Sequence, residues 1–379
     1  MQAKYDYIIT GAGCAGLSLL MRMIISGKFS EKKILLVDQS AKKLNDRTWC
    51  FWEKKEGFFE NLVYSRWNKL WFISDKHTLL NDIVPYEYKM IRGIDFYEYC
   101  FSIINEQKNI EFVQATVEEI NSYGSETFAI IDKKKINSDY IFNSIIFQEP
   151  SVSKKQFMLL QHFKGYIIET VRDCFNPHEA ILMDFRTRQQ YGTCFFYVMP
   201  FSKKRALVEY TVFSEKLLTE EDYNTALQDY LLNCLNISAY SLRHEEFGII
   251  PMTNHDFDNK KGNILNIGTS GGNTKASSGY TFQFIQKNTA VITNAMVKNG
   301  VPCVKTQKKK FEFYDGVFLN TLVTKKISGK EIFECMFNKN RVTDIFCFLD
   351  NESSIIQDIR VINSLPKFPF LKAAIQQLF

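Results

Sequence analysis

The spacing of apolar and polar residues changes rhythm along the chain, and each rhythm predicts a different kind of structure. Residues 5–10 (YDYIIT) read as a short buried strand, residues 17–26 carry helical spacing, and residues 33–37 (KILLV) form a second apolar run. From about residue 55 to 260 this strand–helix–strand rhythm breaks. Residues 113–120 and 140–147 read as strands, and a denser set follows at 163–170, 180–186, 193–199 and 206–213. Turn signals such as Asn176-Pro177 and Phe201-Ser202-Lys203-Lys204 separate them, which predicts an antiparallel sheet. Residues 217–235 read as a helix, with Thr219 as its N-cap and acids in its first turn. Residues 263–267 return to a strand pattern, a long helix is predicted from Phe282 to about Lys298, and amphipathic helical spacing runs from 301 to the last residue.

Between the first strand and the first helix lies Gly11-Ala12-Gly13-Cys14-Ala15-Gly16, and the second strand ends in Asp38. This arrangement matches a dinucleotide-binding fingerprint. Gly11 permits the tight turn, Gly13 lets backbone N–H groups approach a pyrophosphate, and Gly16 lets the helix pack close to the strand. Cys14 and Ala15 lie in this turn, ahead of the helix whose positive N-terminal end faces the phosphates, and Asp38 is placed to accept hydrogen bonds from ribose hydroxyls. A second glycine turn, with Gly268, Gly271 and Gly272, precedes the 282–298 helix and suggests that a late segment closes the nucleotide domain.

Composition narrows the class. The chain has 379 residues, 45% hydrophobic and 23% charged, which predicts a packed core and excludes wholesale disorder. A net charge of +5 is too mild to argue for nucleic acid. Nine cysteines without C-x-x-C spacing, and five histidines without ligand spacing, predict neither a disulfide framework nor a metal site. Aromatic residues reach 15%, consistent either with a large apolar ligand or with Phe filling ordinary core positions. No run of 18 apolar residues predicts a spanning helix, and the start of the sequence lacks the layout of a secretory signal, so a cytoplasmic location is expected.

Several further blocks occur in order: Asp46-Arg47-Thr48-Trp49-Cys50-Phe51-Trp52, Gln161-His162-Phe163-x-Gly165, Met183-Asp184-Phe185-Arg186, Phe196-Tyr197-x-x-Pro200, Val208-Glu209-Tyr210-Thr211, Gly248-x-Ile250-Pro251-Met252, and Ser277-Ser278-Gly279-Tyr280. With the fingerprint, these resemble the lycopene cyclase family of flavoproteins over most of the chain to about residue 300. The resemblance implies an α/β fold. A Rossmann-like FAD-binding domain would be built from 1–55, 90–150 and 262–300, and a substrate domain with an antiparallel sheet from 56–89 and 151–261. A helical region, 301–379, would follow. It implies reduced FAD as cofactor, NADPH as the flavin's reductant, and cyclisation of linear carotene ψ-ends to β-rings, lycopene to β-carotene via γ-carotene, without net redox change. An FAD-dependent monooxygenase or reductase acting on an isoprenoid is the alternative on the same scaffold.

That chemistry needs an acid that stays protonated at neutral pH, because a terminal alkene is a very weak base; burial of a carboxyl raises its pKa in the required direction. Strand alternation puts Leu207, Glu209, Thr211 and Phe213 on one face, an unusual setting for an unused acid. Glu209 also aligns with the first acid of the family's F-L-E-E-T-type motif, with Leu207 and Tyr210 departing from it. Its alternative is an ion pair on a solvated face. Asp184 is the second acid candidate, its alternative a pair with Arg186. Aromatic faces stabilise cations, so Trp49, Phe51, Trp52, Phe196, Tyr197 and Tyr280 are the expected substrate contacts. Arg47, with the glycines and Asp38, is the expected cofactor contact. A carotene dissolves in membranes. The resemblance therefore implies peripheral contact with an anionic membrane surface, with Lys203-Lys204-Arg205, Lys308-Lys309-Lys310 and the segment 365–371 as candidates.

Overall fold

A computed structural model of the chain describes residues 4–378, apart from 125, 149 and 305–308. Lys308 of the basic run therefore lies outside the described residues. The first strand, Lys4–Thr10, is central to a parallel array: Ile34–Asp38 and then Ile110–Gln114 lie on one side, Lys134–Asn143 and then Ile264–Asn266 on the other. Such strands are buried on both faces. One face is covered by the Cys14–Ser26 and Phe282–Asn299 helices through Leu17, Leu20, Ile285, Ile292 and Met296. The other is covered by an antiparallel extension, Val117–Tyr123 and Glu126–Ile131, through Ala129 and Ile131. The single strand expected at 113–120 is thus two: Ile110–Gln114 pairs with Ile34–Asp38, and from Val117 the chain pairs with Glu126–Ile131 instead.

The middle of the chain builds a seven-stranded sheet. Its order is Tyr240–Thr253, Met158–Thr170, Arg205–Ser214, Thr193–Pro200, Glu179–Asp184, Lys69–Ile73 and Thr78–Asp82, antiparallel except where Glu179–Asp184 meets Lys69–Ile73. Alternation divides its side chains cleanly. Ala206, Val208, Tyr210 and Val212 pack with Phe196 and Val198 under the Glu220–Asn233 helix. That helix starts where Thr219 accepts from the Asp222 N–H and the Asp222 carboxylate accepts from the Thr219 N–H, a reciprocal cap. Leu207, Phe213, Phe195 and Tyr197 face the opposite way, into a large core shared with the C-terminal helices.

Those helices are Lys309–Val323, Gly329–Lys339, Val342–Leu349, Ile355–Ser364 and Lys367–Leu378. A small three-stranded sheet, with Thr48–Glu53 and Ser65–Trp67 flanking Glu87–Arg92, connects the two large sheets. It takes strands from both sides of the boundaries expected near residues 55 and 90.

Candidate functional site

The fingerprint forms a cradle at the end of the first strand. An added Cβ at Gly16 would lie 2.0 Å from the Gly11 carbonyl oxygen, so only glycine allows this close approach of helix and turn. At Gly13 an added Cβ would meet nothing within 4 Å, leaving open space above the uncapped helix start. No acid occupies that helix's first turn, so its N–H groups and positive end are available to an anion. Asp38 stands beside the cradle, accepting from the Ala12 N–H at 2.7 Å and the Ser40 N–H at 2.8 Å, with Lys42 Nζ at 3.3 Å.

A cavity of about 460 Å³ opens between this cradle and the seven-stranded sheet. Ser144 and Thr269 come from the cradle side, Arg47, Thr48 and Trp49 from the connecting strand, and Tyr197, Leu207 and Glu209 from the sheet. The 278–282 loop closes it with Ser278, Tyr280 and Phe282. The Arg47 guanidinium donates to the Asp46 and Phe247 carbonyls, and it is absent from the ion pairs among the described residues. Tyr280 and Tyr88 hydroxyls meet at 3.2 Å.

Glu209 is 8% exposed. One carboxylate oxygen accepts from Thr211 Oγ1 at 2.8 Å, and among the described residues no cation pairs with it. Instead, its neighbour is a second acid, Glu246, on the Tyr240–Thr253 strand, whose carboxyl is within hydrogen-bonding contact of its own. Burial and the negative Glu246 push the Glu209 carboxyl up to about 8. Burial also raises Glu246, while a hydrogen bond from Thr48 Oγ1 at 2.6 Å and the nearby His244 and Arg47 favour its ionised form. The Cys50 thiol, also on the cavity wall, is held neutral by burial and by these two acids.

The structure brings together Arg47, Trp49, Tyr197, Glu209 and Tyr280 around this cavity, with Gly11, Gly13, Cys14, Ala15, Gly16 and Asp38 in the adjoining cradle. Gly268 belongs with them, packing against Ala15. Gly271 and Gly272 do not: they line a separate polar cavity with Asn254, His255 and Phe257, because the Gly268–Gly271 turn points them away. Asp184 is also corrected. It lies under the Glu220–Asn233 helix, bound in a fork by Arg186 at 2.7–3.2 Å and by the Tyr230 hydroxyl at 2.7 Å. That is the pairing with Arg186. Phe196 is on the same far face, stacked on Tyr230 with ring centroids 3.8 Å apart. Phe51 stacks on Phe282 in the nucleotide-side core at 4.4 Å, and Trp52 stacks on Phe346 at 4.2 Å, behind Tyr280. Neither lines the Glu209 cavity.

The sequence reading missed Glu246, and it gave no role to Thr48 or Gln161. Glu246 shares the phase of the quoted Gly248, but its relation to Glu209 depends on a strand register that spacing alone does not supply. Gln161 and Ser278 line the cavity, and their Oε1 and Oγ atoms are buried without a hydrogen-bond partner among the described residues.

Comparison with known proteins places this geometry. The family described as lycopene cyclase protein matches residues 6–375. The chain belongs to the lycopene cyclase family. No curated protein matches it in sequence. Solved structures similar to this cyclase-family chain include a flavoprotein/dehydrogenase from Cytophaga hutchinsonii, at 13% identity, TM-score 0.68 and 99% coverage of both chains. The flavin-dependent brominase Bmp2 is similar at 12% identity and TM-score 0.65, covering 94% of this chain and 97% of its own. A geranylgeranyl bacteriochlorophyll reductase-like protein from Thermoplasma acidophilum follows at 9% identity and TM-score 0.55, covering 98% and 95%. At these identities the likeness concerns the fold, a Rossmann-like α/β domain joined to an antiparallel sheet.

Proposed function

We propose that this lycopene cyclase family member is a flavin-dependent carotene cyclase that closes ψ-ends to β-rings, lycopene to β-carotene through γ-carotene, with no net redox change. The observation that carries the reading is Glu209, a buried acid raised to about 8, on the wall of a cavity that adjoins a dinucleotide cradle. Ring closure starts when a terminal alkene takes a proton, and Glu209 holds one at neutral pH at the cavity surface. Trp49, Phe163, Tyr197, Tyr280 and Phe282 line the cavity where positive charge develops, and aromatic rings there stabilise it. Cys50, kept as a neutral thiol, does not trap the cation as a thiolate would.

The residues fit FAD. The open space at Gly13 and the start of the Cys14–Ser26 helix would hold the pyrophosphate, and Asp38 would hold the adenosine ribose. The unpartnered Gln161 Oε1 and Ser278 Oγ offer polar contacts to the ring edge within the cavity, with Arg47 beside them. When bound and reduced, with NADPH as the source of electrons, FAD would supply negative charge to this cavity.

The substrate is membrane-dissolved, and the C-terminal helices support peripheral docking. Among the described residues no helix is long and apolar enough to cross a membrane. Ile355, Ile356, Ile359 and Ile362 recur on one face of their helix and remain exposed, as do Phe368, Leu371 and Ile375 on the next. Phe368 is 89% exposed. Of the segment 365–371, Leu365 is buried and Phe370 packs on the core, so Phe368 and Leu371 are its membrane-facing members. Lys310 is taken up by Asp358 at 2.6 Å.

The test is an anaerobic assay with reduced FAD and lycopene in anionic liposomes, read by chromatography and mass. A cyclic product of unchanged mass, lost in Glu209→Gln, is the expected result. No cyclic product there, but NADPH consumption in step with a mass change on an isoprenoid when NADPH is added, in air for oxygen transfer or without air for hydrogenation, would instead make the protein a monooxygenase or reductase. Flotation with the same liposomes should be lost in the Ile356→Glu, Ile359→Glu double variant.

A further inference from the structure

Gly165 is the one position on the Met158–Thr170 strand that pairs at once with Glu209 on one neighbour and Glu246 on the other. Side chains opposite each other in a ladder share a face, so the two acids stand on the same face, separated by a residue that has no side chain. The acids' strands lie two strand spacings apart, about 9.6 Å, a span that two Glu side chains leaning toward each other over Gly165 close. The gap is tight. An added Cβ at Gly165 would meet Leu207 Cδ1 at 2.9 Å and Glu246 Cγ at 3.0 Å. Each acid has one oxygen committed to a hydroxyl, Glu209 to Thr211 and Glu246 to Thr48. Glu246 Oε1 is buried with no other donor.

We propose that Glu246 is the positioning partner of Glu209: the two carboxyls meet across the gap at Gly165 and hold one proton in common, which keeps the acid at the cavity wall loaded. The inference rests on the reading of Glu209 as the proton donor. Two carboxylates in contact inside a dry site do not both ionise, so the pair retains a proton well above the pH at which either would lose it alone. The surroundings decide where it resides. Arg47, preceding the Thr48–Glu53 strand, and His244, on the Glu246 strand, both favour negative charge on Glu246. The groups facing Glu209 from the other elements, Cys50, Tyr197 and Tyr280, are neutral acids with raised pKa values, and Tyr88 stands behind them. The proton therefore stays on Glu209, the member that lines the cavity, while Glu246 acts through it.

The experiment is an infrared titration of the carboxylic-acid carbonyl band in the resting, substrate-free protein, paired with pH–rate profiles of cyclisation. Wild type should keep a band through neutral pH that Glu209→Gln removes. In Glu246→Gln its midpoint should fall by at least about one pH unit, a tenfold fall in the ratio of protonated to ionised acid at a given pH. The alkaline limb of the rate profile should move down equally, with the acid plateau retained; a merely structural role would lower the rate at all pH values. Glu246→Asp should restore the midpoint in part, and Gly165→Ala, which pushes the carboxyls apart, should shift it as Glu246→Gln does. An unchanged midpoint in Glu246→Gln overturns the proposal. So does a wild-type spectrum with no protonated carboxyl at neutral pH, whatever the variants' folding. If the band behaves as expected but no form turns lycopene over, the pairing stands and the cyclase reading falls.

Discussion

The two faces of the seven-stranded sheet carry similar aromatic side chains and buried acids, yet they are built for opposite ends. Under the Glu220–Asn233 helix, Asp184 is clamped by Arg186 and Tyr230, and Phe196, Tyr210 and Tyr230 stack face to face with no space left between them. On the other face Glu209 has no cation among the described residues, its neighbour is another acid, and a cavity opens before it. Burial alone therefore does not mark a reactive carboxyl. The sign of its partner does: a buried acid answered by a guanidinium is neutralised as a pair, while one answered by a carboxylate must keep a proton.

The contrast can be broken at either face. Glu209→Gln is nearly isosteric and should leave the melting transition near pH 4.5 in place while lowering the rate of cyclisation by about a thousandfold, the scale of a lost general acid. Phe196→Ala on the far face should do the reverse. It opens a hole in a stacked core and should cost about 3 to 5 kcal/mol by denaturant titration, with the rate per folded molecule unchanged. Asp184→Ala should cost about 3 kcal/mol, at the low end for a broken buried pair because Arg186 can turn to solvent. A loss of rate in Asp184→Ala beyond its loss of folded protein would return Asp184 to the list of acids that act on substrate.

Legibility in the sequence followed the range of the interactions. The cradle was readable because its parts lie within one strand–turn–helix–strand unit, and the cap at Thr219 because a capping box is written in four residues. Alternation correctly grouped Leu207, Glu209, Thr211 and Phe213, and it separated Phe196 from Tyr197. It did not say which of those two faced the cavity, since that depends on what each face of the finished sheet meets. Asp184 and Arg186 were readable as a pair, and the Tyr230 hydroxyl that completes their site comes from a helix far along the chain. Glu246 was the least legible. Its role arises from a register shared by three strands, and the residue that permits the contact, Gly165, is notable for the side chain it lacks.

One further expected effect follows from the same contrast and has a definite sign. The Glu209 carboxyl is raised from 4.5 to about 8 by burial and by Glu246, so between those values the folded protein binds more protons than the unfolded chain. Stability contributed by the protonated acid is complete below the lower value and declines as pH rises toward the upper one, at no more than about 1.4 kcal/mol per pH unit for a single proton. Glu209→Gln keeps the shape and removes the titration. Melting curves of wild type and variant should therefore coincide near pH 4.5 and diverge as pH rises, with Glu209→Gln the more stable protein at pH 8. A constant offset between the curves would mean that Glu209 is already ionised in the folded state, and the difference between the two faces of the sheet would then be one of shape without one of charge.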